Sequence, residues 1–405
     1  MKIPQKIPHL GIAVVLTFTA HAFGQIWTSN AVPNFGWTSV ASSADGNKLV
    51  VVGNFSIYSS TNSGAAWISN APSAEWISVA SSADGSKLVA ASDAGIYGLI
   101  YTTKNSGSTW LATSAPGTNW ISVASSADGT KLVAAAANGY ITTPGAIYTS
   151  TNSGTSWTPT SAPSTNWQAV ASSADGTKLV AVVAGVVNVN GTGYETDGLI
   201  YISTNSGANW TPIAGTGLGW TSVASSADGS KLIAASFFSQ LYSSTNYGVT
   251  WTPNGAPPKN WTCVASSADG VRLAGVANLI KNGGSCQIYT STNSGANWTD
   301  SDAPNLDFRS VAYSADGTKL VASVYDGAIY TLQTTPAPCL NILPSSTNLA
   351  LSWTIPSTNF VLQQSLDLQS WTNLTITPTL NLTNLQEQVV LSPTNSSGFY
   401  RLQSK

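Results

Sequence analysis

The stretches "WTSVASSADGNKL" (residues 37–49) and "STNSGAAW" (60–67) decide how this chain is read, because both recur along it with small changes. Aligned on its aspartate, the first has seven copies, at Asp45, Asp84, Asp128, Asp175, Asp228, Asp269 and Asp316, spaced by 39, 44, 47, 53, 41 and 47 residues. A period in this range, built from short strands and turns, is the signature of propeller blades. Each copy reads as four strands, a to d. Strand a is "WTSVAS" (37–42), followed by the turn "SADGN"; strand b is "KLVVVG", strand c is "SIYSS", and strand d begins near Trp67. β-Branched and aromatic residues alternate as a pleated surface requires, and the Asp-Gly pairs supply a turn residue that tolerates positive φ. Helix-period patterns are absent after residue 22.

Composition narrows the class. Charged residues make up 8% of the 405, against roughly 25% in an average soluble protein, so the surface is polar but mostly uncharged. A net charge of -2, with 15 basic residues and no basic cluster, offers no footprint for a phosphate backbone; nucleic acid is not an expected partner. The opening "MKIPQKIPHLGIAVVLTFTAHAFGQ" combines two lysines, an apolar run from Leu10 to Ala20 and small residues at Ala20 and Ala22. That is the anatomy of a secretory signal peptide, too short to span a membrane. Cleavage is expected after Ala22, with Gly24 as the alternative, giving an exported or surface-attached protein with no membrane span. Both histidines, His9 and His21, fall in this leader, so the remainder has no His general base, no Ser-His or Cys-His pair and no His-ligated metal. No cofactor is implied. Of the three cysteines, Cys263 and Cys286 lie in one repeat; one strand between them separates them by about 9.6 Å, beyond disulfide reach unless the loop before Cys286 folds back.

The second stretch has six copies, at 60–67, 103–110, 150–157, 203–210, 244–251 and 291–298. They resemble the Asp-box, or bacterial neuraminidase repeat, of the form S/T-x-D-x-G-x-x-W. The resemblance implies a hairpin between the third and fourth strands of each blade, with the Trp packed between blades. Asn62, Asn105, Asn152, Asn205, Asn246 and Asn293 stand where that family usually has Asp; Asn makes the same side-chain to backbone turn bond. The seventh copy stops at "AIYTLQTT" (328–335) without a box, while "IWTSNAVPNFGW" (26–37) matches "AWISNAPSAEW" (66–76). The N-terminal strand is therefore expected to complete the last blade and seal the ring. Residues 336–405 break the repeat, and "LALSWT", "FVLQQSLD", "QVVLS" and "GFYRLQ" read as strands of a module similar to the C-terminal β-sandwiches of exported bacterial proteins, with a spacer or export-related role preferred over sugar binding. The expected architecture is all-β: a signal peptide (1–22), a seven-bladed β-propeller (23–335) closed by the N-terminal strand, and a small C-terminal β-sandwich module (336–405).

Function is sought where the copies differ. The a–b and c–d turns hardly vary, which marks them as frame. The b–c loops vary: the Leu-to-Tyr separation runs 9, 13, 16, 22, 10, 16 and 10 residues through the seven copies. The d–a connections vary too, and both sets emerge on one face around the ring axis, where grafted loops carry function on a rigid scaffold. Candidate ligand-binding residues there are Asp93, Tyr140, Tyr194, Glu195, Asp197, Lys281, Tyr325 and Asp326, with Glu75, Lys259 and Asp307 from the d–a connections. The longest insertion, "GVVNVNGTGYETDG" (185–198), holds three of them. The strand-opening aromatics Trp37, Trp76, Trp120, Trp167, Trp220, Trp261 and Phe308 could form a sugar-stacking ring, but packing between blades is the preferred reading.

Resemblance to sialidases implies an arginine triad, a tyrosine nucleophile backed by a glutamate and an aspartate acid/base. The repeat region has only Arg272 and Arg309, and Arg272 takes the turn position where most copies have Lys. A general glycosidase needs two carboxyls, about 5 Å or about 6.5–9.5 Å apart, and nothing in the spacing pairs any two across the axis. Xyloglucanase-type enzymes place their site between two propellers. The repeats also resemble the photosystem II assembly factor type of seven-bladed propeller, whose arginine patch is lacking. The resulting expectation is a non-catalytic, monomeric binding propeller for a protein or glycan, with a glycoside hydrolase as the alternative and a structural surface protein as the third reading.

Overall fold

The computed structural model describes residues 27–404 except 70, 94–97, 138–144, 188–193, 196–197, 214–217, 238, 279–285, 334–339, 345–347, 355–359, 366–369, 382–385 and 392–398. The expected signal peptide therefore lies outside the described residues. The described chain is all-β and divides into two compact units, one within 25–334 and one after 335.

In the larger unit each repeat folds as an antiparallel sheet with its strands in chain order. The second repeat shows the pattern: strand a Trp76–Ser81, b Leu88–Ser92, c Ile100–Thr103 and d Leu111–Ala112. Five sheets of four strands follow this order, and the first and last repeats join in one sheet of six. The join is made by Trp27–Ser42, whose first half pairs with Asp326–Gln333 and whose second half pairs with Leu49–Gly53. It thus serves as strand d of the last repeat and strand a of the first, and Asn30 fastens it by donating from Nδ2 to the Ile329 carbonyl (3.2 Å) and Thr331 Oγ1 (3.2 Å).

Two sets of bonds run between sheets. Immediately after strand a, the Ala44 N–H donates to the Ala83 carbonyl, Ala83 to Ala127, Ala127 to Ala174, Ala174 to Ala227, Ala227 to Ala268, Ala268 to Ala315, and Ala315 back to Ala44, all at 2.7–2.8 Å. These seven bonds close on themselves. Within strand a, a serine hydroxyl accepts the N–H of the next sheet's valine, as between Ser78 and Val123 (3.1 Å) and between Ser310 and Val40 (3.3 Å). Cys263 occupies the equivalent position in its repeat, bonded to the Val311 backbone and 4.0 Å from Ser310 Oγ, and burial pushes its thiol up. Cys286 is also a free thiol and donates to Asp307 Oδ1 (3.5 Å). The Cys263 sulfur is committed to the inter-sheet contact, and no bridge forms.

Strand b is buried along its whole length in the first five repeats. Its sheet is covered on both faces, so a continuous run of Val, Leu and Ala replaces the alternation of a half-exposed strand. The strand-opening aromatics are at most 1% exposed and wedge between neighbouring sheets; Trp120 packs with Val89, Ala91 and Ile100 of the preceding repeat. Each also meets the strand-c tyrosine of its own sheet edge to face, from Trp167–Tyr201 at 5.1 Å to Phe308–Tyr330 at 6.0 Å. This fulfils the packing reading and leaves no sugar-stacking ring.

The six box turns share one geometry. In the third, Ser150 Oγ donates to Asn152 Oδ1 (2.9 Å) and accepts from the Gly154 N–H (2.9 Å), while Asn152 Oδ1 also accepts the Ser156 N–H (2.9 Å). Asn therefore meets the acceptor role of an Asp through its amide oxygen. In the smaller unit, sheets of four and three strands share a core of Leu351, Trp353, Leu362, Val389 and Leu391.

Asn152→Ala removes an acceptor with two partners and is expected to cost about 1–2 kcal/mol, read as a fall in Tm. Asn152→Asp keeps the acceptor and is expected to leave Tm within a degree or two of the parent.

Candidate functional site

The frame end and the loop end of the ring have different electrostatics. At the frame end each turn aspartate is held by its own turn: Asp175 accepts from Ser173 Oγ (2.6 Å), the Thr177 N–H (3.0 Å) and the Thr177 hydroxyl (2.7 Å). Partial burial pushes the carboxyl up, but these bonds, aided by Lys178, more than reverse it and hold Asp175 at about 2. Asp45, Asp84, Asp128 and Asp228 are lowered by the same balance, while the deeper burial of Asp316 wins and raises it. Lysines bind the turns together: Lys87 Nζ donates to the Asp128 carbonyl (2.7 Å) and Lys131 to that of Asp175 (2.9 Å). Gly85 in one such turn has φ +64°, and a Cβ there would come within 2.8 Å of the Lys48 side chain.

The axis at this end holds a cavity of about 180 Å3, lined by the Ser-Ser-Ala segments of the repeats. Its hydroxyls are internally committed; Ser81 Oγ, for example, donates to the Ser82 carbonyl (2.9 Å). Only the seventh copy breaks the pattern. "AYSADG" puts Tyr313 where the others have Ser, and burial pushes its hydroxyl well up. The sequence signal was a single substitution in an otherwise constant phrase.

At the loop end, backbone bonds assemble a row from the last, first and second repeats. The Tyr325 N–H donates to the Asp307 carbonyl (2.9 Å), Asp326 pairs with Gly36, and the Asn54 N–H donates to the Gly36 carbonyl (3.1 Å). Asn54 then bridges to Glu75, whose carbonyl accepts the Asp93 N–H (2.6 Å). At about 4.8 Å per strand step, Asp326 to Asp93 spans roughly 20 Å. Five of the candidate residues (Asp307, Tyr325, Asp326, Glu75 and Asp93) thus fall on one line.

Other candidates lie elsewhere. Tyr194 and Glu195 sit on a short strand paired antiparallel with Val186–Val187, within the longest insertion. Lys259 belongs to the fifth and sixth repeats, donating to Gln287 Oε1 (2.8 Å) and lying 5.1 Å from the Tyr289 ring centroid. Tyr140, Asp197 and Lys281 lie outside the described residues.

Two members of the row escaped the sequence reading. Arg309 donates to Asp307 Oδ2 (2.7 Å) and stacks over Tyr325, its guanidinium 4.6 Å from the ring centroid. Phe55 is 56% exposed with φ +64°. It is the second central residue of the two-residue turn joining Leu49–Gly53 to Ser56–Ser60, and "NF" stands where a hairpin favours Asn-Gly. A bulky exposed residue in the left-handed region was the legible signal. Arg272 packs against Gly317 at the frame end, so the two arginines of this unit lie at opposite ends of their sheets. Among the described residues no group of three or more His, Cys, Asp and Glu side chains could hold a metal, and no helix is long and apolar enough to cross a membrane.

Solved structures share this architecture. A structure titled "YCF48 bound to D1 peptide" superposes with a TM-score of 0.56 at 13% identity, covering 82% of this chain and 100% of that one. The GH74 xyloglucanase from Xanthomonas campestris gives 0.55 at 13% identity, covering 82% of this chain and 59% of that one. Kuenenia stuttgartiensis hydrazine synthase gives 0.57 at 13%, covering 79% and 99%. The chain has a β-propeller-like fold, and at these identities the likeness concerns fold alone. No protein-family model and no curated protein matches it.

Phe55→Gly relieves a left-handed conformation and gives up little buried area, so it is expected to stabilise the protein by about 1 kcal/mol, read as a rise in Tm. The lowered turn aspartates contribute stability above their ordinary value of 3.8 and lose it as pH falls below that, for Asp175 towards about 2; Asp316, raised, works in the opposite sense. Tm is expected to hold down to about pH 4 and to fall between about pH 4 and pH 2.

Proposed function

We propose that this chain is an exported, non-catalytic binding protein, built as a seven-bladed Asp-box-type β-propeller with a C-terminal β-sandwich module, and that its loop face recognises a protein or glycan. The seven bonds from Ala44 round to Ala315 and back support seven blades. The observation that carries the binding role is the row from Asp307 to Asp93. It gathers Tyr325, Asp326, Glu75 and the exposed Phe55 on the face where the repeats differ, while the opposite face repeats one turn and answers its own charges. Export follows from the leader in residues 1–22, and removal after Ala22 gives a mature protein that starts at Phe23. The strand pair Val186–Val187 with Tyr194–Glu195 belongs to the b–c connection of its repeat and so to the same face.

A peptide-bound neighbour and a glycoside hydrolase neighbour bring both kinds of partner into consideration. The hydrolase alternative requires two carboxyls flanking a bound sugar. Asp326, Glu75 and Asp93 instead follow one another along a single rim, which favours recognition over hydrolysis.

The test is a glycan array and a β-glucan hydrolysis assay on the chain from Phe23, beside a variant with residues 185–198 replaced by a short turn. Binding that the variant loses while its circular dichroism spectrum is unchanged supports a glycan site on the loop face. Hydrolysis by the parent chain overturns the non-catalytic reading, and silence in both assays leaves a protein partner as the form of the proposal that survives.

A further inference from the structure

We infer that the row running from Asp326 through Asn54 and Phe55 to Glu75 and Asp93 docks an extended peptide segment carrying lysine or arginine, with Phe55 as its apolar anchor. The inference rests on the binding role proposed above and specifies the partner.

Charge complementarity is the first argument. At the frame end the turn carboxylates lie beside cations from the turns themselves: Asp84 beside Lys48, Asp128 beside Lys87, and Asp316 beside Arg272. At the loop end the described cations are occupied. Lys259 bonds Gln287 and covers Tyr289, and Arg309 is spent on Asp307 and Tyr325. Glu75 and Asp326 are exposed, and no described cation pairs with either carboxylate. Lysine or arginine from a partner supplies what the row lacks, whereas a neutral sugar does not and a phosphate backbone or anionic membrane is repelled.

Position is the second argument. The backbone bond that joins Glu75 to Asp93 recurs between Asn119 and Ala137, Asn166 and Ala184, and Gly219 and Phe237. Those repeats offer no charge at the equivalent places. At these strand-end positions acidic residues occur only in one arc, so the preference is set by substitutions at fixed scaffold positions.

The third argument is Phe55. The scaffold holds a bulky ring at φ +64° and 56% exposed on the turn between the Gly36 and Glu75 steps. An exposed ring in a row whose strands also carry Asp326 and Glu75 suits an aliphatic stem bearing a cationic head, which gains contact with the ring and attraction from its π face. A row of roughly 20 Å corresponds to about six residues of extended chain.

The experiment measures fluorescence anisotropy of labelled, otherwise identical Ser/Leu peptides that carry lysine, glutamine or glutamate at alternate positions, against the full mature chain, at low and at high salt. The lysine peptide is expected to bind at least about fivefold more tightly than the glutamine peptide, with the difference shrinking at high salt. Glu75→Gln combined with Asp326→Asn is expected to abolish that preference. Phe55→Gly, which keeps every charge and eases the backbone, is expected to weaken lysine-peptide binding about fivefold without lowering Tm. Equal binding of all three peptides, or a lysine preference untouched by both variants, overturns the inference. Binding of the glutamine or glutamate peptide that Phe55→Gly weakens overturns the cationic partner while keeping the loop face as the interaction surface; absence of peptide binding together with a silent glycan array removes both readings.

Discussion

Closure is the constraint on which this structure depends. The alanine N–H bonds pass from each sheet to the next and return to Ala44 only because the last sheet stands beside the first. That adjacency is fastened by one strand, Trp27–Ser42, which pairs with Asp326–Gln333 on one side and Leu49–Gly53 on the other. Had the ring remained open, two sheet edges would offer unpaired backbone to other chains. With it closed, each sheet has a neighbour on both faces, which explains why strand b is buried and mostly apolar and why the aromatics that open strand a are almost fully buried.

The same constraint explains the uniformity of the frame. A sheet that must fit two identical neighbours has little freedom in its inner strand or its turns, so Ser-Ala-Asp-Gly and the Asn-bearing box recur almost unchanged. Departures are absorbed where chemistry permits. Cys263 takes a serine's place between sheets, because a thiol of similar size still meets the next strand's backbone. Tyr313 replaces a serine at the axis, where the cavity leaves room for a ring. Low charge follows as well: the carboxylates and lysines of the frame are spent on the turns, and hydroxyls and amides make up most of the remaining polar surface.

Variation in sequence is thereby pushed to the loop end. A ring of equal sheets has no preferred direction, and recognition of an asymmetric partner requires that some sheets differ from others. Here the difference is an acidic arc over the last, first and second repeats, with Asn, Gly, Ala and Phe at the same positions elsewhere. Arg309 limits one end of the arc by neutralising Asp307 and covering Tyr325. Phe55 marks its middle, at a backbone cost that a purely structural turn would avoid by using glycine.

Local and periodic information in the sequence determined a great deal. The repeated phrases define strands, turns and boxes through short-range rules of pleat and turn chemistry, and the missing box of the seventh copy matched the unpaired strand at the start of the chain. Variable loops marked the candidate face, and Asp93, Tyr325, Asp326, Glu75 and Asp307 were legible on it as charged or aromatic exceptions. Which of them act together was not legible, since Asp326 and Gly36 come from opposite ends of the chain and meet only through closure, and Asn54 reaches Glu75 only across two sheets. The stacking of Arg309 on Tyr325, the exposure of Phe55 and the enclosure of Cys263 were likewise decided by tertiary structure. Spacing along a chain fixes what each residue does to its near neighbours, whereas a site built across sheets depends on how the ring brings distant strands side by side.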